Sequence, residues 1–178
     1  MKLRIVAFAA LCGGLILAAN AAPSLADSVK TPINKISDTG IEDEIGFITF
    51  TDGPEGLEML VDVVGLTPGA HGMHIHEKGN CAPAMQDGKP VAGLSAGPHF
   101  DPSHTTTHQG PHGAGHKGDL PFIEANPQGE AKQQLKASAL KVADIKGRTV
   151  MIHAGGDTYT DKPALGGGGA RVACGVIE

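Results

Sequence analysis

The sequence predicts an all-β fold, an antiparallel sandwich or barrel that carries long irregular loops. Short runs of alternating apolar and polar residues recur along the chain, turn-forming Gly, Pro, Asn and Asp punctuate them, and no segment sustains a helical period. Residues 27–44 are mostly polar, lack strong periodicity and read as a loose leader or an edge strand. Residues 45–50 and 57–63 alternate as strands, and the Gly/Pro-containing stretch 51–56 between them reads as a hairpin turn. A second turn at 65–69 leads into a strand over 72–77. A Gly/Pro-rich excursion then runs from 78 to 118. Strands return at 120–124, 148–153 and 170–177, with another irregular loop over 157–169. The segment 131–145 is ambiguous: its Lys, Gln, Leu and Ala suit a helix, whereas its neighbours favour an extended stretch and a short turn.

The first residues look like an export signal. Lys2 and Arg4 precede an apolar run over 5–18, and small residues follow, with cleavage expected after Ala21 or Ala26. The run is short for a membrane span. Cys12 lies inside it after Leu11 rather than a small residue, which argues against a lipid anchor. The expected organisation is therefore a signal peptide over 1–26, a leader over 27–44 and one domain over 45–178. Removing 1–26 takes away two cations and no acidic residue, shifting the formal net charge from −5 to −7. That balance argues against nucleic-acid and anionic-membrane partners. Cys81 and Cys174 remain after processing. In an oxidising compartment a disulfide between them is favoured over a buried free thiol or a place in a metal site, since neither has Cys-x-x-Cys spacing.

The chemistry is concentrated between Pro98 and Leu120, which hold five histidines and two aspartates. His104, His108, His112 and His116 fall four apart, but Pro102, Pro111, Gly110, Gly113, Gly115 and Gly118 exclude a helix. Such a loop needs something to order it, and metal coordination is the simplest agent. His74 and His76, at i and i+2 on a strand, share one face, with Met73 and Ile75 turned to the core as in a half-buried strand. His153 ends a second apolar strand. Histidines on rigid strands, joined by His and Asp from a loop, suit copper and zinc better than a thiolate site. Gly166 to Gly169 lack the Lys-Ser/Thr of a phosphate loop and read as a turn.

Longer motifs sharpen this reading. GAHGMHIHE over 69–77, SAGPHF over 95–100, HKGDL over 116–120 and GGGGARVACGVI over 166–177 resemble copper/zinc superoxide dismutase in its exported bacterial form, along nearly the whole of 46–177. The resemblance implies a Greek-key, immunoglobulin-like β-sandwich or barrel with long metal-binding and electrostatic loops. It implies copper at His74, His76, His99 and His153, and zinc at His99, His108, His116 and Asp119, with His99 shared. Arg171 would meet the substrate, superoxide anion, and Asp157 would link a copper-ligand histidine to a zinc-ligand histidine. Cys81 and Cys174 match the family disulfide. The implied activity is dismutation of superoxide to dioxygen and hydrogen peroxide in the periplasm, by a monomer or homodimer, with Lys78, Lys117 and Lys162 as candidate steering cations. The alternatives are a copper/zinc buffer or delivery protein on the same scaffold, and a purely structural sandwich. No metal role carries over to His71, expected to pack and hydrogen-bond, or to His104 and His112. His112 keeps a lesser reading as a substitute zinc ligand.

Overall fold

The computed structural model describes residues 26–178, so nearly all of the expected export segment lies outside the described residues. Eleven strands and one α-helical turn follow in order, with short 3-10 turns at Leu94–Ala96 and Ala164–Gly167: β1 (Ser28–Ser37), β2 (Gly40–Gly53), β3 (Gly56–Val63), β4 (Gly69–His71), β5 (Met73–His76), β6 (Ala84–Gln86), β7 (Lys89–Val91), β8 (Ile123–Ala125), β9 (Ala131–Ala137), α1 (Val142–Ile145), β10 (Thr149–His153) and β11 (Arg171–Val176). The all-β expectation holds. The ambiguous stretch 131–145 is a strand followed by a single helical turn.

Seven strands form one antiparallel sheet in the order β5-β10-β11-β1-β2-β3-β9. The sheet curls. β4 continues β5 across Gly72 but pairs with β8, and β8 turns into β9 through a bend in which the Asn126 N–H donates to Glu130 O at 2.9 Å. The connections β3 to β4 and β9 to β10 each pass over intervening strands, which is the Greek-key arrangement. Inward-facing Ile33, Ile48, Phe50, Met59, Ile75 and Val150 are almost wholly excluded from solvent and belong to one core. A smaller cluster of Ile36, Ala96 and Met151 packs around the two cysteines.

Residues 27–44 correct the expectation of a loose leader. They form β1 and the start of β2, and β1 is central, between β11 and β2. The cause is local. Thr31, Ile33 and Ile36 are buried, but the β1–β2 register shifts between Ile33 and Asn34 and again between Asn34 and Ile36. These irregularities break the period-2 pattern by which a strand is recognised. Pro32 adds to the disguise, because proline is rare inside sheets; it lies beside the short β1–β11 ladder, registered at Asn34–Cys174 and Lys35–Ala173.

β5 also departs from expectation, since all four of its residues are buried rather than two. Its outer face is covered by the excursion that follows it. That excursion is anchored at one end by the Cys81–Cys174 disulfide, with Cα atoms 5.8 Å apart and the cysteines separated by 93 positions in sequence. Reduction, or replacement of both cysteines by serine, is expected to lower stability by about 4–5 kcal/mol in the chain-entropy picture. Urea midpoints of the two forms measure this, and equal midpoints would contradict it.

Candidate metal centre

The ligand-rich loop is stitched to the free edge of β5. The Phe100 N–H donates to Ile75 O, the Ile75 N–H to Gly118 O and the Gly118 N–H to Phe100 O, each at 2.8 Å. His76 faces His99 and His74 faces Asp119 in bridge pairings. Backbone pairing therefore aligns both ends of the loop with the two histidines of β5. Ordering does not rest on a metal alone, as the sequence suggested.

Two overlapping groups of potential ligands result: His74, His76, His99 and His153, and then His74, His99, His108 and Asp119. All of these residues are buried, and within each group the candidate ligand atoms lie within 4.8 Å of one another. His74 and His99 belong to both, with ring centroids 4.0 Å apart and planes 23° from parallel. His116 stands at the margin of the second group. Its Nδ1 is 3.4 Å from Asp119 Oδ1, and its ring centroid is 5.3 Å from that of His99.

Hydrogen bonds fix which face each ring presents. His74 Nε2 and His108 Nε2 donate to Asp157 Oδ2 and Oδ1, both at 2.7 Å. His76 Nδ1 donates to Gly97 O at 2.8 Å, and His153 Nδ1 to Gly169 O at 3.2 Å. The opposite nitrogens, His74 Nδ1, His76 Nε2, His108 Nδ1 and His153 Nε2, together with His116 Nδ1, are buried without a hydrogen-bond partner among the described residues. His108 Nδ1 lies only 3.0 Å from Asp119 Oδ2, yet out of line for a hydrogen bond. Buried polar atoms are rarely left unpartnered, so five such imidazole nitrogens in and beside the two ligand groups fit a site shaped for metal ions.

The electrostatics agree. Burial, then neighbouring histidines, lowers His153 to about 3. Burial lowers His99 to about 4 against the opposing pull of Asp119. His76 is lowered for the same first reason, followed by the charges of His99 and Arg171. These rings are neutral at pH 7 and can ligate. His108 is the opposite case: burial works to lower it, but the close carboxylates of Asp119 and Asp157 prevail and raise it to about 9. Asp119 and Asp157 resist the upward push of burial, and their histidine partners hold both carboxyls well below the usual range.

Arg171 opens β11 and is half-buried. It donates to Gly93 O at 2.6 Å and Gly97 O at 2.8 Å. With His76, His99 and His153 it lines an open cleft of about 280 Å³. The disulfide brackets this arrangement, since Gly93 and Gly97 follow Cys81 while Cys174 lies on the strand that starts with Arg171.

The remaining histidines sort as expected. His71 is buried, with ring nitrogens 2.6 Å from His153 O and 2.7 Å from Thr67 O, whereas His104 and His112 are exposed. Of the candidate steering cations, Lys78 and Lys162 are exposed, but Lys117 is tied to Asp144 at 2.9 Å. Sequence reasoning missed Asp161, whose Oδ1 accepts the His108 N–H at 2.8 Å, because it binds backbone and belongs to no metal-ligand motif. It also passed over Gly166. A Cβ there would run into Asp157 Oδ1 and His108 Nε2, and its φ of +74° suits glycine.

A Greek-key barrel whose wall carries two overlapping histidine groups beside a guanidinium-lined cleft defines a metalloprotein with a centre for more than one ion. The family model for copper/zinc superoxide dismutase (SODC) matches residues 44–177, and the chain belongs to that family. It is 48% identical over 155 residues to "Superoxide dismutase [Cu-Zn]" of Escherichia coli, covering 86% of this chain and 90% of that one. The solved Cu/Zn superoxide dismutase from Brucella abortus superposes with a TM-score of 0.84 at 48% identity, covering 85% of this chain and all of that one. The solution structure of the monomeric copper, zinc superoxide dismutase from Salmonella enterica matches at 43% identity with a TM-score of 0.77, covering 85% of this chain and 100% of that one.

Asp157→Asn keeps the shape of the side chain but offers an acceptor at only one end. It is expected to weaken zinc binding roughly 10–100-fold while His104→Ala leaves it unchanged. Competition with a chromophoric chelator measures both, and equal affinities for Asp157→Asn and wild type would refute the role given to the carboxylate.

Proposed function

We propose that the protein is an exported superoxide dismutase with copper at His74, His76, His99 and His153 and zinc at His99, His108, His116 and Asp119. The observation that carries the reading is Arg171, a cation fixed by two carbonyls at the wall of the same cleft as three of the copper histidines. A storage or delivery protein has no need of such an anion guide. Bound copper would supply the one-electron redox chemistry that oxidises one superoxide to dioxygen and reduces a second, while zinc, which has no redox chemistry, would be held by His99, His108, His116 and Asp119.

The residues of the chain do the rest. Arg171 binds and orients the small anion by charge-assisted hydrogen bonds. His99, which belongs to both ligand groups and lines the cleft, is placed to relay a proton taken from solvent to the reduced anion, so that both protons of hydrogen peroxide come ultimately from water. Asp157 keeps the Nε2 protons of His74 and His108 pointed away from the metals. His116, beside Asp119, would complete the zinc set. The signal-like residues 1–26 and the Cys81–Cys174 bridge support a periplasmic location, where a disulfide persists.

Protein loaded with both metals is expected to dismutate superoxide, and His153→Ala loaded in parallel to lose most of that activity. Inactivity of the loaded wild type would defeat the enzyme reading in favour of a metal buffer. Arg171→Glu is expected to lower the rate at least about tenfold and to abolish its decline with rising ionic strength. A variant with wild-type rate and salt dependence would remove Arg171 from substrate capture.

A further inference from the structure

The turn that carries Asp157 holds a residue to which neither the ligand sets nor the substrate cleft assigns a part. Tyr159 has φ +56°, a left-handed conformation that side chains other than Gly, Asn and Asp seldom adopt. Such a conformation persists only where surrounding contacts over-determine it. Here they do so from three directions. The Tyr159 N–H donates to Asp157 Oδ1 at 2.8 Å, the same oxygen that accepts from His108 Nε2. The ring lies against Gly110, two residues after His108, so closely that a Cβ there would stand 2.6 Å from Cγ of the tyrosine. The phenolic oxygen accepts the Phe122 N–H at 3.0 Å, tying the turn to the chain entering β8.

We propose that Tyr159 is a positioning residue for the zinc half of the centre. Its backbone holds one oxygen of Asp157, its ring presses the segment carrying His108 into place, and its hydroxyl pins both to the barrel. Asp161 secures the same segment in parallel through the His108 N–H. Tyr159 is not itself a ligand candidate and acts through Asp157 and Gly110. The proposal rests on the assignment of zinc to His99, His108, His116 and Asp119.

The chain supplies its own reporter, since Tyr159 is the one tyrosine in the sequence and there is no tryptophan. In the metal-free wild-type protein, added zinc ion is expected to change tyrosine emission and its quenching by acrylamide, saturating together with zinc binding. Tyr159→Ala is expected to release zinc to a chelator roughly 10–100 times faster than wild type, and to shift the visible spectrum of cobalt(II) bound in place of zinc. Tyr159→Phe keeps the ring and the N–H. It is expected to release zinc within about fivefold of the wild-type rate, the cost of one hydroxyl contact, and to restore the cobalt spectrum.

Wild-type release rates in Tyr159→Ala, or tyrosine emission indifferent to bound zinc, would overturn the proposal while leaving the dismutase reading intact. The emission arm needs no variant, so it decides the matter even if Tyr159→Ala fails to fold. A wild-type protein that bound no zinc would overturn the proposal and the zinc assignment together.

Discussion

The carboxylate of Asp157 accepts from His74 Nε2 through one oxygen and from His108 Nε2 through the other, at 2.7 Å each, with its side chain fully shielded from water. An imidazole has two nitrogens, and the hydrogen bond made by one decides what the other can do. With both Nε2 protons committed to one acceptor, the two Nδ1 atoms are the ones turned toward the ligand groups. His74 lies on rigid β5 and His108 on the long loop, so the same carboxylate sets the position of the loop relative to the barrel. Gly166 exists to let this happen, because any side chain there would occupy the space where carboxylate and imidazole meet.

Around that contact the structure uses covalent and backbone ties rather than a large packed interface. The loop runs along the open edge of β5 and satisfies its hydrogen-bonding groups, which an exposed edge would otherwise leave free. The disulfide holds the other side of the excursion and, with it, the carbonyls of Gly93 and Gly97 that grip Arg171. Both devices give a Gly- and Pro-rich segment a defined path without a hydrophobic core of its own. They also leave the ligand nitrogens unpartnered, an arrangement that costs stability in the absence of metal.

What could be read from the sequence follows from how locally each feature is encoded. Residues 57–63 alternate and residues 149–153 form a short, wholly buried run, and both are strands. β1 was hidden because its register slips twice and because it contains Pro32, so its burial depends on β2 and β11 rather than on its own pattern. The half-burial expected of β5 failed for a non-local reason: the cover over His74 and His76 arrives from residues far along the chain. The candidate ligands and Arg171 were legible through motifs that resemble a family. Asp161 and Tyr159 were not, because each acts on backbone or on a glycine, and nothing in residue type betrays such a contact. The even spacing of His104, His108, His112 and His116 misled, since two of these four side chains face solvent.

A chain with formal net charge −5 has no bulk electrostatic reason to attract an anion. The resolution is one of range and dielectric. At physiological ionic strength the screening length is about 8 Å, so exposed acidic residues farther than that from the cleft contribute little at its floor. Arg171 acts from within the cleft, half-buried, where screening is weak and a charge-assisted contact is strongest. Its partners reinforce the effect, since they are carbonyls that orient the guanidinium without neutralising it, whereas Lys117 is paired to Asp144 and largely cancelled. A carboxylate in place of either carbonyl would fix Arg171 equally well and remove its field. The choice of Gly93 O and Gly97 O as anchors therefore leaves an uncancelled cation at the wall of the cleft, where the proposed substrate anion would enter an otherwise acidic protein.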